Sequence, residues 1–185
     1  MSTAPITLVV GAGDGLSAAL ARRFAREGHA IHLAARNTAK LAPLVAELGA
    51  TAHACDVTDQ AQVAALFAAL DRTGTPAAVI YNPSARARGP LVDLVADEVQ
   101  KTLQVSAFGG FLVAQQAARR MLARPGGASG SLLFTGASAS VKGYPLSAPF
   151  AMGKFALRGL VQSLARELAP KNIHVAHFVI DGGIA

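Results

Sequence analysis

Six short runs rich in apolar and β-branched residues alternate with amphipathic helical stripes along the 185-residue chain, and no other feature restricts its folding as much. Ile6–Val10, Ala30–Ala34, Thr51–Ala54, Ala77–Tyr81, Ser131–Thr135 and Ile173–Ile180 read as strands. A run such as Ile-Thr-Leu-Val-Val, apolar at nearly every position, predicts a strand buried on both faces, as in a parallel sheet. Between the strands, Leu16, Leu20 and Phe24 recur at i, i+4 and i+8. Leu41, Leu44, Val45 and Leu48 recur at i, i+3, i+4 and i+7, and Val63, Leu66, Phe67 and Leu70 repeat that spacing. For the last of these helices Thr58 is the expected N-cap, with Asp59 in the first turn. Longer helices are expected over Asp97–Leu122 and Phe150–Leu168, the second ended by Pro170. Strands alternating with helices make βαβ units with right-handed crossovers. The expected fold is therefore α/β, a Rossmann-like doubly wound parallel sheet in a single domain over residues 1–185.

The first strand runs directly into Gly11-Ala-Gly-Asp-Gly-Leu-Ser17 and then into a helix. Backbone N–H groups at a helix start can hold a pyrophosphate, and glycine lets the backbone approach it closely. Gly11, Gly13, Gly15 and Leu16 are the candidate residues for such a contact. The spacing is not GxGxxG, because Leu16 stands in the sixth position. At the end of the second strand Ala35 occupies the place where a carboxylate would accept from a ribose 2′-OH, and Arg36 follows. A 2′-phosphate would meet a cation there and no repelling carboxylate, which favours NADP over NAD.

Charge and composition narrow the partners. The net charge is +6, but the arginines are dispersed on helix faces opposite apolar stripes: Arg22, Arg23 and Arg26; Arg119, Arg120 and Arg124; Arg158 and Arg166. With no Trp and two Tyr to stack bases, no nucleic-acid partner is expected. No apolar run reaches the roughly 18 residues that a membrane helix needs, so no membrane partner is expected either. Met1–Pro5 lacks a basic n-region, and Cys55 is the single cysteine, which together point to the cytoplasm. Cys55 reads as a small buried residue. His29, His32, His53, His174 and His177 read as structural, with no metal site.

The glycine turn resembles the TGxxxGxG turn of the short-chain dehydrogenase/reductase family, with Val10 in place of Thr and Ser17 in place of the third glycine. Further matches follow in family order. Asp56-Val57 is similar to the pair that borders the adenine ring. Asn82 matches the Asn of Asn-Ala-Gly, here followed by Pro83 and Ser84. Lys154 matches the Lys of YxxxK. The resemblance implies hydride transfer between a nicotinamide dinucleotide and a small-molecule carbonyl or alcohol. It also implies a homodimer or homotetramer built through the two long helices.

The resemblance further implies a catalytic Tyr, Ser and Asn beside the Lys, and here the chain departs from it. Phe150 stands four residues before Lys154, Ala137 at the Ser position and Ser106 at the Asn position. Ser138 and Tyr144 are the candidate substitutes, and Arg86 and Arg88 are candidates for an acidic substrate group or solvated side chains. Asp181 and Gly182 stand at the family's Pro-Gly, after which a covering loop, a helix and a seventh strand are expected. Those elements are absent from this sequence, which leaves a sheet edge that either a partner or a further C-terminal tail is expected to cover. The leading expectation is an NADP-dependent oxidoreductase with a degenerate catalytic set. The alternative is a catalytically silent NADP-binding sensor or inactive subunit.

Overall fold

All five residues of the first strand, Ile6–Val10 (β1), are buried, as a strand covered on both faces requires. A computed structural model describes residues 4–182 of the chain. The terminal Gly183, Ile184 and Ala185 lie outside the described residues, as do Met1, Ser2 and Thr3. Five further strands follow: β2 Ala30–Ala35, β3 Thr51–Ala54, β4 Ala78–Tyr81, β5 Gly130–Thr135 and β6 Ile173–Phe178. They form one sheet of order β3-β2-β1-β4-β5-β6, with every pair parallel. The helices are α1 Leu16–Arg26, α2 Ala42–Leu48, α3 Gln60–Asp71, α4 Ala96–Leu103, α5 Gly109–Leu122 and α6 Ala148–Leu168.

Two cores result, one on each face of the sheet. Val63, Phe67, Val113, Met121, Leu157 and Val161 from α3, α5 and α6 pack on one face. Ala18, Ala21 and Leu44 from α1 and α2 pack on the other, against Val9, Ile31 and Leu33. The chain winds outward from β1 to β3, then returns to place β4 beside β1. That reversal opens a crevice at the carboxyl ends of β1 and β4, where doubly wound sheets place their ligands.

Three sequence expectations need correction. Thr58 does not cap α3; the Asp59 carboxylate accepts from the N–H groups of Ala61 and Gln62 at 2.8 and 3.1 Å. A carboxylate serves the positive helix start better than a hydroxyl, and the Thr58 hydroxyl donates instead to Asp56 at 2.8 Å. The long helix over Asp97–Leu122 is interrupted by a π-helical segment, Gln104–Phe108. The sixth strand stops at Phe178, where its ladder with Thr135 of β5 ends.

The arginines have local partners on the surface. Arg22 pairs with Glu47 at 2.7 Å and Arg120 with Asp71 at 2.6 Å, and these carboxylates lie below their ordinary pKa because of those bonds. His32 Nδ1 lies 2.9 Å from His53 Nε2 across β2 and β3, and burial lowers the pKa of both rings. Among the described residues no helix is long and apolar enough to cross a membrane, and no group of three metal-ligating side chains assembles.

Candidate functional site

Two adjoining cavities of about 430 Å³ each occupy the crevice, and Asn82 and Ser84 after β4 line both. The first lies over the ends of β1, β2 and β3. Gly11 and Ala12, then Ala35 and Arg36, then Asp56 and Val57 contribute to its wall. Lys40 joins them from a short turn after β2.

The glycine turn is shaped by one close approach. Gly11 has φ +76°, and a Cβ there would come within 2.6 Å of the Pro83 backbone nitrogen. Only glycine fits both conditions. Gly13 and Gly15 face open space, since a Cβ on either would meet nothing within 4 Å. Gly15 precedes α1 without any side-chain cap, so the first N–H groups of that helix are open to an anion. Ser17 is absorbed into the turn: its hydroxyl donates to the Gly11 carbonyl at 3.0 Å and accepts from Asn82 at 2.6 Å. The two loops at the switch point are thereby tied together through a residue that the resemblance would have as glycine.

At the outer end of the same cavity, Arg36 and Lys40 make a cationic rim. Asp56 is held below the ordinary carboxylate range, first by the Thr58 N–H, then by the Thr58 hydroxyl and by the charge of Arg36. Val57 and Val105 close the apolar side. Cys55 is buried beneath, and burial pushes its thiol up to about 11, so it stays protonated and inert.

The second cavity lies between the end of β5 and the start of α6. Thr135, Gly136, Ala137 and Ser138 form one wall, Phe150 and Lys154 another, and Leu16, Arg86, Ile180 and Gly182 the mouth. Lys154 is only 2% exposed. Its Nζ donates to the Thr135 carbonyl at 2.9 Å, which leaves two of its three N–H donors free. Burial, reinforced by the charge of Arg86, lowers its pKa to about 8. Phe150 is buried, with the Arg86 guanidinium 4.1 Å from its ring centroid and Lys154 Nζ 5.8 Å away.

The two candidate substitutes separate. Ser138 lines the cavity, whereas Tyr144 is 40% exposed, lies beside Lys142 and takes no part in the lining. The turn over Ser138–Ser140 is pinned by the Ala137 N–H donating to the Ser140 hydroxyl at 3.1 Å, and the loop beyond carries Tyr144 outward. Ser106 is fully buried, with its hydroxyl unpartnered, and a Cβ at Gly153 would come within 2.8 Å of the Ser106 Cβ. The neighbouring Val105 carbonyl accepts from the Tyr81 hydroxyl at 2.5 Å. Sequence reasoning missed Lys40 and Ser84. Lys40 follows Arg36 by one turn's spacing, which is a readable signal; Ser84 was marked only as a departure from Asn-Ala-Gly, with nothing to place it in both cavity walls.

A model of the short chain dehydrogenase family matches residues 5–183. The chain is 30% identical over 178 residues to the 3-oxoacyl-[acyl-carrier-protein] reductase MabA of Mycobacterium tuberculosis (strain ATCC 25618 / H37Rv), covering 96% of this chain and 68% of that one. A crystal structure of a short-chain dehydrogenase from Rhodopseudomonas palustris superimposes with a TM-score of 0.90 at 38% identity, covering 96% of this chain and 85% of that chain. A gluconate 5-dehydrogenase from Burkholderia cenocepacia J2315, solved in complex with NADP and tartrate, superimposes with a TM-score of 0.88 at 28% identity over 97% of this chain and 72% of the other.

Proposed function

The chain belongs to the short-chain dehydrogenase family of oxidoreductases, and from that premise we propose that it is an NADP-dependent reductase of small carbonyl compounds in which Lys154 supplies the proton. The observation that carries this reading is the placement of Lys154 Nζ: buried, hydrogen-bonded to Thr135, and with a pKa lowered to about 8. Among the described residues, no other side chain lining the second cavity exchanges a proton near neutral pH, since Phe150 has none to give and serine hydroxyls ionise far higher.

The residues present fit the cofactor. The uncapped start of α1 and the open faces of Gly13 and Gly15 suit a pyrophosphate held by backbone N–H groups, with Gly11 and Leu16 beside them. Arg36 and Lys40 would hold a 2′-phosphate, and this rim supports NADP over NAD. Asp56 and Val57 would border the adenine, Asn82 would position the loop over the glycine turn, and Lys154 would reach the nicotinamide ribose. When bound, the reduced dinucleotide supplies a hydride to the carbonyl carbon. Lys154 gives its proton to the carbonyl oxygen, and Ser138 is placed to donate a hydrogen bond to that oxygen. In the alcohol direction the neutral amine takes the proton back.

A second reading, a catalytically silent NADP-binding subunit or sensor, is favoured by Phe150, which puts an apolar ring where the family resemblance has a phenol. A homodimer or homotetramer is supported by an apolar groove on α4, α5 and α6, where Phe108 and Phe111 are 49% and 39% exposed. The single, buried Cys55 supports a reducing compartment such as the cytoplasm.

The deciding measurement is a fluorescence titration with NADPH and NADH, followed by a carbonyl-substrate screen. NADPH binding well ahead of NADH, with a reduction rate that falls as pH rises through about 8, is the expected result. NADPH binding with no turnover on any carbonyl would favour the silent reading. Binding of neither nucleotide would overturn both.

A further inference from the structure

Among the described residues, the second cavity is lined by two cations and no anion. Arg86 and Lys154 both line it and both lie against the Phe150 ring. Four ion pairs occur among the described residues, and neither Arg86 nor Lys154 is in any of them. No carboxylate lines the cavity among the described residues. Asp181, adjacent in sequence to the mouth residue Gly182, acts electrostatically on Lys142. Two like charges in one cavity, one of them buried, are unfavourable until an opposite charge joins them.

The local geometry is suited to receiving that charge. A guanidinium lying on an aromatic face keeps its N–H donors at its edge, in the fork that matches a carboxylate. Arg86 donates to no protein acceptor among the described residues, and Lys154 keeps two free N–H donors. The hydroxyls of Ser84 and Ser138 also line the space, and about 430 Å³ fits a small organic molecule.

We propose that the second cavity binds the carboxylate of a small organic acid through Arg86, with Lys154 alongside, so that the carbonyl compound reduced here is an oxo acid. The anion site stands on the cavity itself; the oxo-acid substrate rests on the reductase reading above. This gives Arg86 a function that the solvated alternative denies it; both arginines are exposed, and what separates Arg86 from Arg88 is that only Arg86 lines the cavity.

The test is calorimetric titration of the full chain with pyruvate, with neutral pyruvamide and with inorganic pyrophosphate, alongside an NADPH titration of the same preparation. Pyruvate is expected to bind without dinucleotide and about tenfold more tightly than pyruvamide, as a lost charge-assisted pair predicts. Arg86→Gln is expected to weaken pyruvate by about the same factor, Arg86→Lys to restore part of it, and Arg88→Gln to leave it unchanged. Equal affinity for pyruvamide, or equal effects of the Arg86 and Arg88 substitutions, would overturn the proposal in favour of a general attraction to a basic protein. Pyrophosphate displacing pyruvate through Arg86 would also overturn it, by assigning the cation to the dinucleotide. Normal NADPH binding without pyruvate binding would sink the anion site alone; pyruvate binding without NADPH binding would keep the anion site and sink the reductase reading.

Discussion

The cavity beside Arg36 and the cavity beside Lys154 share Asn82 and Ser84, yet they tolerate change differently. In the first, Ser17 replaces a glycine of the family pattern, and the turn absorbs it with two hydrogen bonds, to Gly11 and from Asn82. Contacts made by backbone N–H groups depend on the path of the chain, which many side chains can support. In the second, the family resemblance has a phenol at Phe150 and a hydroxyl at Ala137; the adjacent Ser138 keeps a hydroxyl in the wall, but no lining side chain among the described residues restores the phenol. A site that works through one side-chain atom cannot spread its function over a loop. Binding is thus expected to be robust at one end, while chemistry at the other hangs on Lys154.

Removing Lys154 is the strongest way to break this comparison. Lys154→Met should cut carbonyl reduction by roughly 10²–10⁴-fold, the usual size of a lost general acid, and weaken NADPH far less. It should also raise the Tm at neutral pH. The folded pKa of about 8 lies below the ordinary 10.5, so between those values the unfolded chain binds a proton that the folded one does not. The stability linked to this group is full above 10.5 and is lost as pH falls through about 8, so at pH 7 the fold bears the whole cost of burying the ammonium. Turnover lost together with a lower Tm would point to a structural lysine instead.

Phe150→Tyr acts in the opposite sense. It supplies a phenol beside a cation that lowers its pKa, and kcat for carbonyl reduction should rise about 10²-fold. NADPH affinity should hold, because Phe150 lines only the second cavity. An unchanged kcat would mean that the hydroxyl does not reach the substrate and that the second cavity has lost more than one atom.

Arg36→Ala sharpens the comparison at the other end. NADPH should weaken by about tenfold, the size of a charge-assisted contact, with NADH unchanged and kcat unaffected. Lys40 limits the loss by remaining on the rim. Equal weakening of both nucleotides would place Arg36 away from the 2′-phosphate.

These differences were unevenly legible in the sequence. The strands stood out because a doubly covered sheet makes near-continuous apolar runs, and the glycine turn because its backbone needs leave no choice at Gly11. The π-helical segment at Gln104–Phe108 was invisible: an added residue inside a long amphipathic stretch blurs the stripe without ending it. Tyr144 looked near to Lys154 by residue count, but the loop after the Ser138–Ser140 turn leads outward, and loop direction has no signature in composition. The placement of Arg86 over Phe150 joins residues far apart in sequence, so only the fold could reveal it.

The smallest expected effect concerns the scaffold of the first cavity. Asp59 caps α3 two residues after Val57, and its carboxylate accepts from Ala61 and Gln62 backbone N–H groups and from the Gln62 side chain. Gln62 in turn accepts from the Asp56 N–H at 2.9 Å, so the cap and the cavity wall share one hydrogen-bond chain. Asp59→Ala should therefore cost about 1 kcal/mol of stability, as lost N-caps do, measured by urea denaturation. It should also loosen NADPH two- to threefold, roughly the cost of a slightly less ordered wall. The dependence of reduction on pH, set by Lys154 at the far end, should not move. A shifted pH profile in this variant would show that the two cavities are coupled through Asn82, and the division between a tolerant binding end and a brittle chemical end would have to be given up.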